Sequence, residues 1–122
     1  GWRPTESTDM QTVDLSERDV VEAVDGVYLA QLAAGEQMSV QHFHVEPGAV
    51  VPEHDHPHEQ AGFIYNGALT FLVDGEEFVV GTDESYVIPG GEPHGAINRG
   101  DDPVDGVDIF APPRLNPDWL SD

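Results

Sequence analysis

The sequence predicts an all-β fold, an antiparallel barrel or jelly roll with a short N-terminal arm. Short segments with strand-like patterns alternate with turns rich in Gly, Pro and Asp. Two dipeptides, Asn66-Gly67 and Asp74-Gly75, separate such segments and favour the positive φ angles of type I′ hairpin turns. The chain has 122 residues and a hydrophobic content of 39%, which suits one small domain.

The elements can be predicted in order along the chain. Residues 1–15 should form a loose arm, because this segment is polar and lacks periodicity, and residues 16–122 should form the single domain. Ser16 is a candidate N-cap of a short helix that ends at Asp25-Gly26, because acidic residues follow Ser16 in the first turn. The predicted strands are residues 27–32, 38–45, 63–65, 68–73, 76–80, 85–88, 94–98 and 104–110.

The charge of the chain is strongly negative. Asp and Glu number 24 against four arginines and no lysine, so the formal net charge is −20. Nucleic acids and anionic membranes would repel such a chain, and we expect neither as a partner. The acidic residues are dispersed between strand patterns rather than run together, which argues against intrinsic disorder.

Composition also bears on the compartment. The absence of lysine and the abundance of dispersed Asp and Glu resemble cytosolic proteins of salt-loving microbes, so we expect a halophilic protein. No cysteine is present, which excludes disulfides and thiolate chemistry. No apolar run approaches the roughly 18 residues of a membrane span and no signal peptide is visible. We therefore expect a cytoplasmic protein.

Residues 48–67 and 81–98 contain histidines spaced for a metal. His54 and His56 are two residues apart, so in an extended strand both imidazoles point to one side. Gln60 follows four residues later, and His94 lies beyond a turn of Pro and Gly. Imidazole is the commonest protein ligand for first-row divalent metals. Three histidines and one oxygen ligand would hold such an ion and leave room for water or substrate.

Three further histidines lie near this segment. His42 and His44 share one face of a predicted strand. They could line a cavity, or they could lie at a sheet surface or subunit contact. His58 lies between Pro57 and Glu59, where the chain must bend, and we expect it at the rim of the cavity rather than on the metal.

The two histidine motifs resemble the paired motifs of the cupins, G-x5-H-x-H-x3-E/Q-x6-G and G-x5-7-P-x-G-x2-H-x3-N. The matching residues are Gly48, His54, His56, Gln60 and Gly67, then Gly81, Pro89, Gly91, His94 and Asn98. The resemblance implies a cupin barrel (a double-stranded β-helix) and one divalent transition metal, Zn, Ni, Fe or Mn. Its ligands would be His54, His56, Gln60 and His94. The family most often has glutamate where Gln60 stands, and Glu59 would point the other way in a strand.

The last predicted strand and its tail carry a second set of candidate residues. Asp108 and Phe110 share a strand face, so a carboxylate and an aromatic ring could both point into the barrel. Pro112-Pro113 holds the backbone extended and could fold Arg114 over the mouth. Asp108 is then a candidate acid/base, and Arg114 a clamp for a carboxylate. Alternatively, Asp108 and Arg114 merely pair with each other.

This tail, together with residues 49–60, resembles the small pectin-degradation cupins that linearise unsaturated uronates. The resemblance implies catalysis or substrate contact at Asp108, Phe110 and Arg114. It implies an enzyme that converts a 4,5-unsaturated monouronate, an anionic sugar acid, to its linear keto form, and we expect a homodimer. Two alternatives stay open: a non-catalytic cupin that binds a sugar acid or metal, and a metal-dependent dioxygenase.

Overall fold

The computed structural model describes residues 10–117 and Trp119, and these residues form two antiparallel sheets. The strands are β1 Val21–Val24, β2 Val27–Ala34, β3 Ser39–Val45, β4 Val50–His54, β5 Glu59–Asn66, β6 Leu69–Val73, β7 Glu76–Val80, β8 Ser85–Ile88, β9 His94–Ile97 and β10 Val104–Ala111. One sheet has the order β1-β2-β3-β10-β5-β8 and the other the order β4-β9-β6-β7. A 3-10 helix, Leu15–Glu17, precedes β1. The predicted all-β jelly roll is confirmed.

Alternation of side chains along the strands builds the core between the two sheets. Along β3 and β10, buried residues alternate with half-buried or exposed ones, as expected when one sheet face is covered. Each fully buried aliphatic or aromatic side chain contributes about 1.5–3 kcal/mol. The core consists of Val27, Phe43, Val45, Ile64, Leu69, Phe71, Val80, Ile88, Ala96 and Val104.

Strand register arranges the interior of the barrel in layers. Three successive rows across β5, β10 and β3 are Gln60–Phe110–Ser39, Gly62–Asp108–Gln41 and Ile64–Gly106–Phe43. The first two rows carry polar side chains, whereas the third belongs to the apolar core. The interior is therefore polar at one end and apolar at the other.

The predicted helix after Ser16 is wrong. Asp14, not Ser16, is the N-cap, and it forms a capping box with Glu17 around a single 3-10 turn. The following valines then form β1, which pairs with β2 through Val21↔Leu29 and Val24↔Val27. β-Branched residues lose little by being extended, and Gly26, with φ +78°, closes the turn between the two strands.

The two Gly-containing dipeptides have different outcomes. Asp74 and Gly75 both have positive φ, 50° and 75°, and join β6 to β7 as the predicted hairpin. Asn66-Gly67 is not a hairpin turn, because β5 pairs with β8 and β10 whereas β6 pairs with β7 and β9. This dipeptide instead carries the chain from one sheet to the other, and only Gly67 has positive φ. The Asn66 side chain donates to the Pro103 carbonyl at 3.0 Å.

The predicted boundary of the arm stays a prediction. Residues 1–9 of the predicted arm 1–15 lie outside the described residues, and its end at residue 15 falls inside the 3-10 helix. Within residues 10–117, no helix has the length and apolar character needed to cross a membrane.

Candidate metal centre and active site

Three histidines from two neighbouring strands and a loop come together at the polar end of the barrel. His54 ends β4 and pairs with His94, which begins β9 in the same sheet. His56 follows two residues after His54, in the loop before β5. One ring nitrogen from each of the three lies within 4.8 Å of the others. The local spacing and the strand pairing together produce this cluster.

Backbone carbonyls orient all three imidazoles. The Nδ1 atoms of His54, His56 and His94 lie 3.0, 3.1 and 2.7 Å from the carbonyl oxygens of Pro52, His58 and Glu92. A carbonyl only accepts, so each Nδ1 carries the proton and each Nε2 keeps its lone pair. Among the described residues, the buried His94 Nε2 has no hydrogen-bond partner. This arrangement suits nitrogen ligands that point at a metal.

Gln60 supplies an oxygen atom beside this cluster. The Gln60 side chain lowers the pKa of Asp108, which indicates that its amide NH2 group faces this carboxylate, because a carboxylate only accepts. Its Oε1 then lies 3.1 Å from His56 Nε2. Two lone pairs face each other at this contact, and a cation between them would satisfy both. Glu59, the preceding residue, is exposed.

Burial favours the neutral form of two of the three histidines, His56 and His94, and metal ligation requires neutral imidazoles. Burial lowers the pKa of His56 to about 4, and the positive charge of Arg114 and the neighbouring His94 act in the same direction. Burial also lowers the pKa of His94, although its bond to the Glu92 carbonyl opposes the shift. Three imidazoles, an amide oxygen and an unpartnered buried nitrogen fit a divalent transition metal.

Asp108 lies one row below the metal ligands and is held by Tyr86. The Tyr86 hydroxyl donates to Asp108 Oδ1, and its ring packs against Phe71 with 4.5 Å between centroids. Gly62 stands between Tyr86 and Asp108 in the sheet register. Burial raises the pKa of Asp108 to about 6, although hydrogen bonds from Tyr86 and Gln60 lower it. Burial also raises the pKa of Tyr86.

The tail after β10 brings Arg114 to the same region. The Arg114 guanidinium carbon lies 5.3 Å from the centre of the Phe110 ring. The Arg114 amide donates to Ser39 Oγ at 2.9 Å, and Gln31 Nε2 donates to the Arg114 carbonyl at 2.8 Å. Within residues 10–117 no ion pair joins Arg114 to Asp108, although its positive charge acts on that carboxylate.

A cavity of about 400 Å³ joins these groups. That volume is within the range of roughly 300–1,000 Å³ typical of small-molecule sites. The polar and aromatic side chains of its wall that belong to the site are His54, His94, Gln60, Asp108, Phe110, Arg114, Gln41, Tyr86 and Trp119. Two histidines of the cluster (His54 and His94), an acid and a cation therefore face one space.

The model of the family described as "Cupin domain" matches residues 41–110. The chain belongs to the cupin family. Two curated proteins are similar to this cupin. The H2HPP isomerase of Bacillus subtilis is 35% identical over 69 residues, which is 57% of this chain and 29% of that protein. The pectin degradation protein KdgF of Dickeya dadantii (strain 3937) is 24% identical over 93 residues, covering 75% of this chain and 84% of the relative.

A solved structure agrees with the fold. The structure of KdgF from Halomonas sp. superimposes with a TM-score of 0.79 at 24% identity. The match covers 88% of this cupin and 97% of the other chain. The isomerase match spans less than a third of that protein, whereas this match covers nearly the whole of the other chain.

The remaining histidines of this cupin lie outside the cavity lining. His42 Nε2 is 2.7 Å from the Tyr65 hydroxyl and His44 Nδ1 is 2.6 Å from Asp105, both on the outer face of the six-stranded sheet. The sheet-surface interpretation of this pair therefore applies. His58 packs beside Phe110, with ring centres 6.1 Å apart, and its expected place at the rim of the cavity stays a prediction.

Sequence reasoning missed four residues of this site, Tyr86, Gly62, Gln41 and Trp119. One signal for Gly62 was available, because a glycine inside a strand often marks a close approach of another group. A Cβ at Gly62 would overlap the ring and hydroxyl of Tyr86 and lie 2.5 Å from Asp108 Oδ1. Tyr86 and Gln41 carried no such local signal, since their positions depend on strand register.

Proposed function

We propose that this cupin is a metal-dependent isomerase that converts a 4,5-unsaturated monouronate to its linear keto form. The observation that carries the proposal is the cavity shared by two histidines of the cluster (His54 and His94), the buried Asp108 and the cationic Arg114. A uronate offers a carboxylate for the cation and hydroxyls for the acid/base. The names of the two KdgF relatives, one of them a pectin degradation protein, support this substrate class.

The reaction relocates one proton. The hydroxyl on C1 of the cyclic hemiacetal loses its proton, and the bond from C1 to the ring oxygen breaks to leave an aldehyde. The ring oxygen stays on C5 as an enol, which becomes a ketone when C4 gains a proton. Atoms and electrons balance without an oxidant, a reductant or a second substrate.

Each side chain of the cavity has a separate role in this reaction. Arg114 binds the substrate carboxylate through its two-pronged guanidinium. Asp108 accepts the proton of the hydroxyl and returns a proton to carbon, while Tyr86 fixes one of its oxygens. Phe110 supplies an apolar wall and a surface on which the Arg114 guanidinium rests.

A divalent ion fits the other wall of the cavity. His54, His56, His94 and Gln60 would hold it, and it would supply Lewis acidity for substrate oxygens. With the neutral Gln60 in place of a glutamate, this ligand set carries one negative charge less. The site is thus one unit more positive, which favours an anionic ligand.

Turnover of 4,5-unsaturated galacturonate by the metal-loaded protein tests this function, followed by loss of the enol-ether absorbance. Asp108→Asn should keep the metal but lose a factor of about 10² to 10⁴ in rate. Arg114→Lys should mainly raise KM, because lysine cannot form the two-pronged contact. The matched control is Asp105→Asn, on the outer face of the same strand, which should leave the rate unchanged.

Metal analysis of the same preparations tests the ligand set. His56→Ala should lose bound metal and activity yet keep the fold, because the core is apolar. His42→Ala, outside the cavity, should retain both. Stoichiometric metal in His56→Ala would contradict the ligand set. Full activity in Asp108→Asn would remove the proposed mechanism, oxygen consumption would indicate a dioxygenase, and ligand binding without turnover would indicate a binding module.

A further inference from the structure

Gln41 is a largely buried polar residue whose side chain lines the cavity. It is 6% exposed and lies directly opposite Asp108 in the pairing of β3 with β10. Among the described residues, its side-chain amide makes no hydrogen bond, and it faces the cavity. The Gln41 amide atoms are not among the fully buried, unpartnered polar atoms of the described residues, so they open onto the cavity. The amide is therefore available to a ligand in the cavity.

The neighbouring glutamine shows what a structural role looks like in this barrel. Gln31 stands directly opposite Gln41 on β2. Its Nε2 donates to the Arg114 carbonyl at 2.8 Å and to the Leu115 carbonyl at 3.3 Å, which ties the tail to the sheet. The two glutamines of this row thus differ. Gln31 bonds the tail to the sheet, whereas the Gln41 side chain bonds no other described residue.

The row also determines what Gln41 would bind. The Asp108 oxygen Oδ1 is engaged by Tyr86, and Gln60 holds the same carboxylate from the adjacent row. Gln41 adds an amide, with both a donor and an acceptor, next to this acidic group. A hydroxyl is likewise donor and acceptor, so an amide matches it, whereas a carboxylate or an apolar ring offers no such pair.

We propose that Gln41 is a substrate-binding residue that hydrogen-bonds a hydroxyl next to the oxygen on which Asp108 acts. The ligand class is a hydroxylated carboxylic acid rather than an apolar one. This inference rests on the proposed function for its substrate and names the group that recognises the hydroxyl-bearing face.

Stability separates a binding role for Gln41 from a structural one. Gln41→Leu should melt at the temperature of the wild type or above it, because the substitution removes no hydrogen bond within the protein and adds apolar surface to the barrel interior. Gln31→Leu should melt lower, because two carbonyls of the tail lose their donor. Gln41→Met, an unbranched replacement, repeats the test should branching at this position disturb the strand.

Binding supplies the second readout. Titration calorimetry on the metal-loaded protein would compare galacturonate with cyclohexanecarboxylate, a ring carboxylate that carries no hydroxyls. The wild type should prefer galacturonate. Gln41→Leu should weaken galacturonate binding by a factor of about 2 to 12, as one hydrogen bond predicts, and leave cyclohexanecarboxylate unchanged.

The outcomes distinguish this inference from the proposed function. Unchanged galacturonate affinity in Gln41→Leu and Gln41→Met, no preference in the wild type, or destabilisation equal to that of Gln31→Leu would overturn the role of Gln41. A wild type that never turns over unsaturated galacturonate would overturn the function instead. The role of Gln41 would still hold after that result if its variants bound galacturonate more weakly than the wild type and bound cyclohexanecarboxylate equally well.

Discussion

At the scale of single residues, Gly62 decides how the acid of the site is held. Tyr86 crosses Gly62 to reach Asp108, and a Cβ at this position would overlap the tyrosine. Gly62→Ala should displace Tyr86, cost about 1–3 kcal/mol of stability as overpacking does, and lower kcat. Melting temperature and steady-state kinetics measure the two effects. Gly35→Ala is the control, because its added Cβ would lie 3.9 Å from the nearest atom, the Met38 carbonyl oxygen. A Gly62→Ala protein with the stability and kcat of the wild type would contradict this role.

The sequence could predict the positions of some site residues but not of others. His54 and His56 are two apart, so their convergence depends on local geometry that spacing alone encodes. The opposition of Tyr86 and Asp108 depends on two strands whose registers are each set against β5. Registers of that kind follow from packing of the whole sheet rather than from any short motif.

At the scale of elements, a histidine on β3 links that strand to β10. His44 Nδ1 lies 2.6 Å from Asp105 and its Nε2 lies 3.4 Å from Glu46. The Tyr28 ring packs beside His44, and His42 interacts with it electrostatically. Burial lowers the pKa of His44, but the two carboxylates outweigh this effect and the pKa is raised. The folded state thus binds the His44 proton more tightly than the unfolded state does. The stabilisation from this proton is complete below pH 6.5, the pKa of the unfolded state, and is lost as the pH rises through the pKa of the folded state.

The free energy of unfolding should therefore fall between pH 6.5 and the higher folded pKa of His44, and His44→Gln should remove that component. Denaturant titrations across this range measure it. His42→Gln is the control. Burial lowers the pKa of His42, so this histidine makes the folded state less stable as the pH falls below 6.5, which is the opposite dependence to that of His44. The same pH dependence in His44→Gln as in the wild type would show that other groups produce it.

The elements themselves were predictable where the signal was local. Strands such as 85–88 and the Asp74-Gly75 hairpin follow from patterns within a few residues. Asn66-Gly67 has the same turn chemistry, yet the chain changes sheet there because β5 finds its partners in β8 and β10. The valines after Ser16 similarly extend because β2 offers them an edge, which local helix signals could not predict.

At the scale of the whole molecule, the jelly roll was predictable and the assembly was not. Turn spacing and the paired motifs are spread along much of the chain, so many observations agree on one fold. The homodimer stays a prediction. The outer face of the six-stranded sheet exposes Phe63, Tyr65, Val87 and Ile109, and self-association depends on surfaces for which the sequence carries no short pattern.

The large negative charge is a property of the whole molecule, and the salt concentration should therefore determine its melting temperature. The net charge is −20, and Arg99 with Glu77 forms an exposed ion pair that neutralises little of it. Lowering salt from about 1 M to about 0.1 M lengthens the Debye length from about 3 to about 10 Å, so acidic side chains repel over the surface. The melting temperature should fall accordingly. Neutralising exposed acids, as in Glu36→Gln with Asp101→Asn, should recover part of the loss at low salt and change little at high salt. Equal melting temperatures of the wild type at both salt concentrations would show that repulsion does not limit this fold.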